Sequence, residues 1–471
     1  MAKKGKTTFG LVVGCRGFFP DRLAKEGREA MIKHLKAQGH DVVVLGPSQS
    51  KHGCVETFEE AKACAELFAQ NAGKIDGIIV TLPNFGDEKG VAEAIKRSGL
   101  DVPVLVHAWP DDLDKLSIQY RRDSFCGKLS VCDNLRQYDI PYTLTSLHTE
   151  AIDSEAFAMD LASFAATCRV TTGLRGLRVG AIGARPAAFN TCRYSERLLQ
   201  GSNISVETLD LSEVIGRAEK LKASDAKVRA KINAIRKYVK SDGVPQAGLE
   251  RLARLAVVLE GWVTDNEISA LALQCWTSLE EYYGVVPCAA MSMLSEKLVP
   301  AACEVDVCGA VAMYALQCAS GTPSALLDLN NNFGDDPDKM IMFHCSNLPA
   351  SFLDNPEMSF NSILGGTVGQ DNAYGTVTGA ITPGPATMLR VSTDDYEGEI
   401  VGYVAEGQFT DDRIETFGGR GVLQIDDLQF LLRYICETGM EHHVAVNKAH
   451  VGDGIAEALN TYMGWDIYQH E

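Results

Sequence analysis

The first part of the chain alternates between short, continuously apolar runs and amphipathic stretches, and this alternation restricts the fold more than any other feature. The runs are Phe9–Gly14, Asp41–Gly46, Ile75–Thr81 and Val102–His107. Between them, Arg22–Gln38, Thr57–Ala72 and Asp87–Ser98 carry apolar residues at helical spacing. A strand that is apolar on both faces is buried on both faces, and intervening helices are the crossovers that join parallel strands. The pattern predicts a parallel sheet covered by helices on each side. Right-handed crossovers place the loops after the strands along one sheet edge, where ligands bind in such folds.

Those loops contain Gly14-Cys-Arg-Gly-Phe-Phe-Pro20, Leu82-Pro-Asn-Phe-Gly86 and His107-Ala-Trp-Pro110. A dinucleotide site needs GxGxxG after the first strand, and glycines at 10, 14 and 17 do not match that spacing. Arg16, at a strand tip, is placed either to hold a polar ligand or to be a solvated or ion-paired surface group. A second α/β pattern starts at Leu177–Gly183, followed by the polar loop Arg185–Asn190 and charged helices over Ser212–Lys240 and Gln246–Glu260. From about Gly365 glycines and threonines punctuate period-2 runs at Gly375–Thr382, Ala386–Ser392 and Glu399–Val404, the pattern of an antiparallel sheet or small barrel. Helices are expected over Asp426–Glu437 and Gly454–Met463.

A chain of 471 residues has room for about three domains at ~150 residues each. Its 44 basic and 62 acidic residues give a formal charge of −18, which argues against nucleic acid or an anionic membrane as the main partner. The start, Met1-Ala-Lys-Lys-Gly-Lys, lacks a signal-peptide core, and no run of ~18 apolar residues suggests a membrane span. Fourteen scattered cysteines without a CxxC pair then point to buried thiols in a reducing cytoplasm rather than to disulfides.

Chemistry concentrates in the second half, where charged groups interrupt apolar runs. Val299-Pro-Ala-Ala-Cys-Glu-Val-Asp306 ends on two acids, which would share one face if the run is a strand. Asp328 stands alone in Leu326-Leu-Asp-Leu329, and His344 closes Met340-Ile-Met-Phe-His344. His442 and His443 head the run Val444–Val446; on a strand they point to opposite faces, so at most one would face a given site. Singly, each is explained by a capping acid or a satisfied core histidine. Together they suggest a mixed oxygen and nitrogen site for a divalent ion such as Mn2+.

The runs Gln274-Cys-Trp-Thr-Ser-Leu-Glu280, Cys303-Glu-Val-Asp-Val-Cys-Gly309, Ser320-Gly-Thr-Pro-Ser324, Asp328 and His344-Cys-Ser-Asn347 resemble the L-fucose/L-arabinose isomerase family. The resemblance implies two Rossmann-like doubly wound α/β domains, at 1–165 and 166–320, and a C-terminal domain at 321–471 with an antiparallel β-barrel. It places metal carboxylates on Glu304 and Asp328 and a histidine ligand on His443. Arabinose isomerases add a histidine ligand where His344 stands, which brings His344 into the expected metal set, but carry Glu at the second carboxylate; fucose isomerases have Asp there, as this chain does. The chain is also shorter than typical fucose isomerases, so the sugar stays open among L-fucose, an arabinose and a modified hexose such as sulfoquinovose.

The implied activity is aldose–ketose isomerisation through a cis-enediol, with Glu304 and Asp328 sharing the proton transfers and a metal polarising the carbonyl. The family pattern also implies a homo-oligomer with active sites between subunits. Arg16 and Phe85 would then reach the sugar from a neighbour, while Gln274 and Trp276 line the pocket. An anionic sugar would need a basic pocket, for which Arg16, Arg122 and Arg185 are available. The competing reading is a non-enzymatic sugar-binding or regulatory protein, because tandem α/β units also build hinged receptors.

Overall fold

The computed structural model describes residues 6–470; the Met1–Gly5 start, read above as a lead-in without a signal core, lies outside them. The chain forms two compact units, one of residues 6–172 with 457–464 and one of 173–456 with 465–470. Among the described residues no helix is long and apolar enough to cross a membrane.

The first unit carries β1 (Thr8–Val13), β2 (Asp41–Val44), β3 (Gly77–Leu82), β4 (Val104–Ala108) and β5 (Thr143–Leu144), all parallel, in the order β2-β1-β3-β4-β5. Strands β1, β3 and β4 are buried almost throughout because helices cover both faces. Phe68, Val91, Ile95 and Leu135 pack on one side, and Met31, Leu35, Phe157 and Phe164 on the other. Local signals set the helix starts. Thr57 and Glu60 form a capping box for Phe58–Gln70, and Asp87 accepts from the Gly90 amide to start Glu88–Ser98. The chain leaves β1 toward β2 on one side and returns to β3 on the other. The loops holding Arg16 and Phe85 therefore meet at the switch point of the sheet, and the Arg16 amide donates to Asn84 Oδ1 at 3.3 Å.

The second unit begins with a parallel sheet, β6 (Arg178–Ile182), β7 (Ser205–Leu209), β8 (Ala270–Leu273) and β9 (Ala301–Ala302), in the order β7-β6-β8-β9. The expected helix over Ser212–Lys240 is two, Leu211–Lys220 and Ala226–Tyr238, broken where Leu221 turns extended and the Asp225 carboxylate accepts from the Lys222 amide at 2.8 Å. The helix Val307–Ser320 is apolar around its whole circumference and buried at every position except Ser320, because it touches β6 and β8 on one side and later strands on the other.

Those later strands form one nine-stranded mixed sheet: β10 (Ser324–Asn332), β11 (Lys339–His344), β12 (Leu353–Phe360), β13 (Tyr374–Ile381), β14 (Gly384–Asp394), β15 (Glu399–Phe409), β16 (Gly419–Gln424), β17 (His443–Asn447) and β18 (Asp466–Gln469). Most pairings are antiparallel, as expected, but the sheet is mixed: β13 runs parallel to β16, and β18 parallel to β15. Both parallel pairs arise where the chain reaches its partner after intervening elements rather than through a hairpin. Strand β10 lies between β11 and β17, with Asp328 opposite Phe343 on one side and His443 on the other.

Candidate active site

Register and one tight turn bring the charged groups together. Asp328 and His443 are cross-strand partners, so they face the same side of the sheet. Glu304 arrives from the parallel sheet. The expectation that Glu304 and Asp306 share a strand face does not hold, because β9 ends at Ala302. Glu304 and Val305 instead take left-handed conformations with φ of 56° and 60°. A β-branched residue rarely adopts that conformation, and such outliers persist where surrounding structure holds a site in place. Asp306 then caps the helix Val307–Ser320, accepting from the Gly309 amide at 2.8 Å.

Each oxygen of Glu304 has a distinct environment. Oε1 accepts from the Trp276 indole N–H at 2.9 Å and from the Cys275 thiol at 3.3 Å. Burial raises the pKa of that thiol, which keeps it a donor. Oε2 has no hydrogen-bond partner among the described residues; neither does Asp328 Oδ1, and both atoms are buried. Nε2 of His443 lies 3.7 Å from Glu304 Oε2 and 3.5 Å from Asp328 Oδ1, and His344 Nε2 is 3.8 Å from Glu304 Oε2. His442 also reaches Asp328, with Nε2 3.9 Å from Oδ1. Both adjacent histidines therefore approach one carboxylate, against the one-face expectation, because the strand starts at His443 and leaves His442 outside it.

The far sides of the imidazoles distinguish them. His443 Nδ1 sits 2.9 Å from Asp306 Oδ2, which puts the proton of the neutral ring on Nδ1 and the lone pair on Nε2. His344 Nδ1 accepts from the Cys345 backbone N–H at 3.0 Å, which puts the proton of the neutral ring on Nε2. Burial alone would push the Asp306 carboxyl up, but Arg390 and then His443 hold it well below the usual carboxylate range. Burial likewise disfavours charge on His443, and Asp306 followed by Glu304 and Asp328 reverses that, raising its pKa.

These groups floor a cavity of about 310 Å³, with Phe189, Trp276, Phe343, Ile363 and Leu364 among its walls. Orphaned buried carboxylate oxygens beside an imidazole lone pair fit a divalent cation. Donor atoms of Glu304, His344 and His443 fall within 4.8 Å of one another, as do those of Asp328, His442 and His443.

The remaining expected residues sit elsewhere. Gln274 turns into the loop after β6, where its Oε1 accepts from the Ala184 amide at 2.9 Å. Gly183 makes that approach possible, since a Cβ there would lie 2.5 Å from the same oxygen. Arg16 belongs to the first unit, paired with Glu88 and stacked 4.7 Å above the Phe85 ring. Arg122 lies over the Trp109 ring and donates to the Pro83 carbonyl at 2.7 Å. Sequence reasoning passed over Phe189, Cys275 and Arg390. Arg390 had a usable signal, a lone charge in the apolar run Ala386–Ser392.

A family model described as the fucose/sulfoquinovose isomerase N-terminal domain matches residues 10–175, and one described as the L-fucose isomerase C-terminal domain matches residues 342–471. The chain belongs to the fucose isomerase-like family. It is an aldose–ketose isomerase, a class to which its curated relatives also belong. This fucose isomerase-like protein is similar to a sulfoquinovose isomerase of Priestia aryabhattai, at 22% identity over 331 residues and 70% of each chain. It is also similar to a sulfoquinovose isomerase of Alkalicoccus urumqiensis, at 23% identity over 57% of this chain and 59% of that one. A solved periplasmic solute-binding protein of Actinobacillus succinogenes 130z with bound D-allose aligns at a TM-score of 0.17 and 10% identity over 68% of this chain and 93% of that chain, too weakly to carry an argument.

Proposed function

We propose that the chain isomerises sulfoquinovose, or a closely related hexose, to its ketose with a divalent cation such as Mn2+ held by Glu304, Asp328 and His443. The observation that carries this reading is that Glu304 Oε2 and Asp328 Oδ1, both buried and without a hydrogen-bond partner among the described residues, lie 3.7 and 3.5 Å from His443 Nε2. When bound, the ion supplies Lewis-acid polarisation of the carbonyl and stabilises charge developing on the sugar oxygens.

The protein side chains move the protons. For an aldose, a carboxylate oxygen takes the C2 proton and returns it to C1 by way of a cis-enediol, while the hydroxyl proton passes from O2 to O1. Glu304 and Asp328 divide these tasks. Trp276 and Cys275 hold one Glu304 oxygen, so the other is presented in a single orientation. His344 keeps its proton on the nitrogen facing Glu304, which suits it to donate to an oxygen rather than to bind the ion.

The names of the relatives and of the N-terminal domain model support a sulfonated sugar. Arg185 supports it chemically. Its guanidinium donates to the carbonyls of Pro186 and Ala187 and to the Asn190 side-chain oxygen, all neutral, so its charge is available to an anion. Arg16, by contrast, is already paired with acids.

Residues Phe18, Leu113 and Ile118, 78 to 84% exposed, follow β1 and β4 on the sheet edge that bears Arg16 and Phe85. They support a homo-oligomer in which that edge closes over the sugar of a neighbouring copy. The division at 1–165, 166–320 and 321–471 belongs to the same reading, with one sheet falling in each part. Pairing of β15 with β16 links six strands into a ring, which supports the expected barrel. Fourteen free cysteines support a reducing cytoplasm.

The test is turnover of the Mn2+-loaded protein on sulfoquinovose, L-fucose, and L- and D-arabinose. Conversion of sulfoquinovose above the others is expected. Activity confined to neutral sugars would remove the sulfonated substrate, and no activity on any aldose would remove the reading.

A further inference from the structure

Arg390 lies in the middle of β14 and is wholly buried. A guanidinium without water is costly unless its N–H groups are used, and here all three nitrogens donate. Nη1 donates to Asp306 Oδ2 at 2.8 Å and to the His443 carbonyl at 3.4 Å, Nε to Glu441 Oε2 at 3.0 Å and Ser392 Oγ at 3.1 Å, and Nη2 to the Thr191 carbonyl at 3.4 Å. The Ser392 hydroxyl also donates to Glu441. Asp306 is thereby fully engaged, with Oδ1 on the Gly309 amide and Oδ2 shared between Arg390 and His443 Nδ1.

Apolar residues of similar volume often replace buried ion pairs without loss of stability, so such a network is better explained by the geometry it imposes. We infer that Arg390 is a positioning residue for the imidazole that faces the cation site. It clamps Asp306, Asp306 fixes the proton of His443 on Nδ1, and the Nε2 lone pair is thereby held toward Glu304 and Asp328. The inference rests on reading Glu304, Asp328 and His443 as the metal-binding set. Supporting groups of this kind affect metal affinity by about 10–100-fold.

Mn2+ titration calorimetry on the full chain tests it, with wild type, Arg390→Met, Asp306→Asn, the double variant and Arg390→Lys. Each of the first two single variants is expected to bind Mn2+ about 10–100-fold more weakly. The double variant should bind about as well as Asp306→Asn alone, and Arg390→Lys should recover part of the loss. If Arg390→Met does not fold, the double variant against Asp306→Asn still isolates Arg390, because both buried charges leave together. Equal affinity in that pair supports the inference. A further drop in the double variant, or wild-type affinity in Arg390→Met, overturns the positioning role alone. A wild-type chain that binds no Mn2+ overturns the metal reading and the role with it.

Discussion

Asp306 Oδ2 and His443 Nδ1 lie 2.9 Å apart, and this contact decides which imidazole nitrogen faces Glu304 and Asp328. A histidine that ligates a cation must offer an unprotonated nitrogen, and a carboxylate behind the ring is the common way to secure it. His344 receives the opposite instruction from the Cys345 amide. Two buried histidines a few ångströms from one carboxylate thus present different chemistry.

This difference predicts separable losses. His443→Ala should abolish measurable Mn2+ binding by calorimetry. His344→Gln should keep Mn2+ affinity within a few-fold of wild type while turnover falls at least tenfold. Loss of Mn2+ binding in His344→Gln would show that His344 is a ligand after all.

The orphaned oxygens of Glu304 and Asp328 predict a chemical rather than a structural role. Glu304→Gln and Asp328→Asn keep side-chain shape, so circular dichroism and thermal midpoint should stay close to wild type. Turnover should drop by several orders of magnitude in each. Wild-type-like rates in either variant would defeat the assignment.

Arg185 is expected to sort substrates by charge. Arg185→Gln should raise KM for sulfoquinovose at least tenfold and leave KM for a neutral hexose nearly unchanged. Parallel changes on both sugars would mean that the arginine only shapes the loop after β6.

Glu280 provides a pH signature in thermal stability. It is fully buried, neither carboxyl oxygen has a hydrogen-bond partner among the described residues, and burial pushes its pKa up to about 8. Below the ordinary carboxyl range both folded and unfolded chains hold the proton. As pH rises from there to about 8, only the unfolded chain releases it, so stability falls, by at most ~1.4 kcal/mol per pH unit. Glu280→Gln cannot ionise and should melt higher than wild type at pH 8 but not at pH 5. The same difference in thermal midpoint at both pH values would rule this out.

Much of the first unit was legible because its signals are local. Period and burial agree in β1, β3 and β4, and Thr57 and Asp87 mark their helix starts within one turn. Glu304, Asp328, His344 and His443 stood out by a similarly local rule, that charge in an apolar run requires a partner. Arg390 obeys the same rule and was missed because it was read as one residue of a strand. The shared strand face for Glu304 and Asp306 failed because the strand stops at Ala302 and two left-handed residues redirect the chain.

Composition and periodicity determined that this chain folds as parallel α/β layers followed by a β-rich part, and that several polar groups must be buried in its second half. Those properties depend on neighbours within a few residues. Which groups meet was decided by the tertiary structure alone. Asp328 faces His443 through strand register, and Asp306 reaches His443 across 137 residues of chain. The proton on His443, the free lone pair opposite it and the unpaired oxygens of Glu304 and Asp328 follow from contacts across the fold, because hydrogen bonding acts over ångströms in space whatever the separation in sequence.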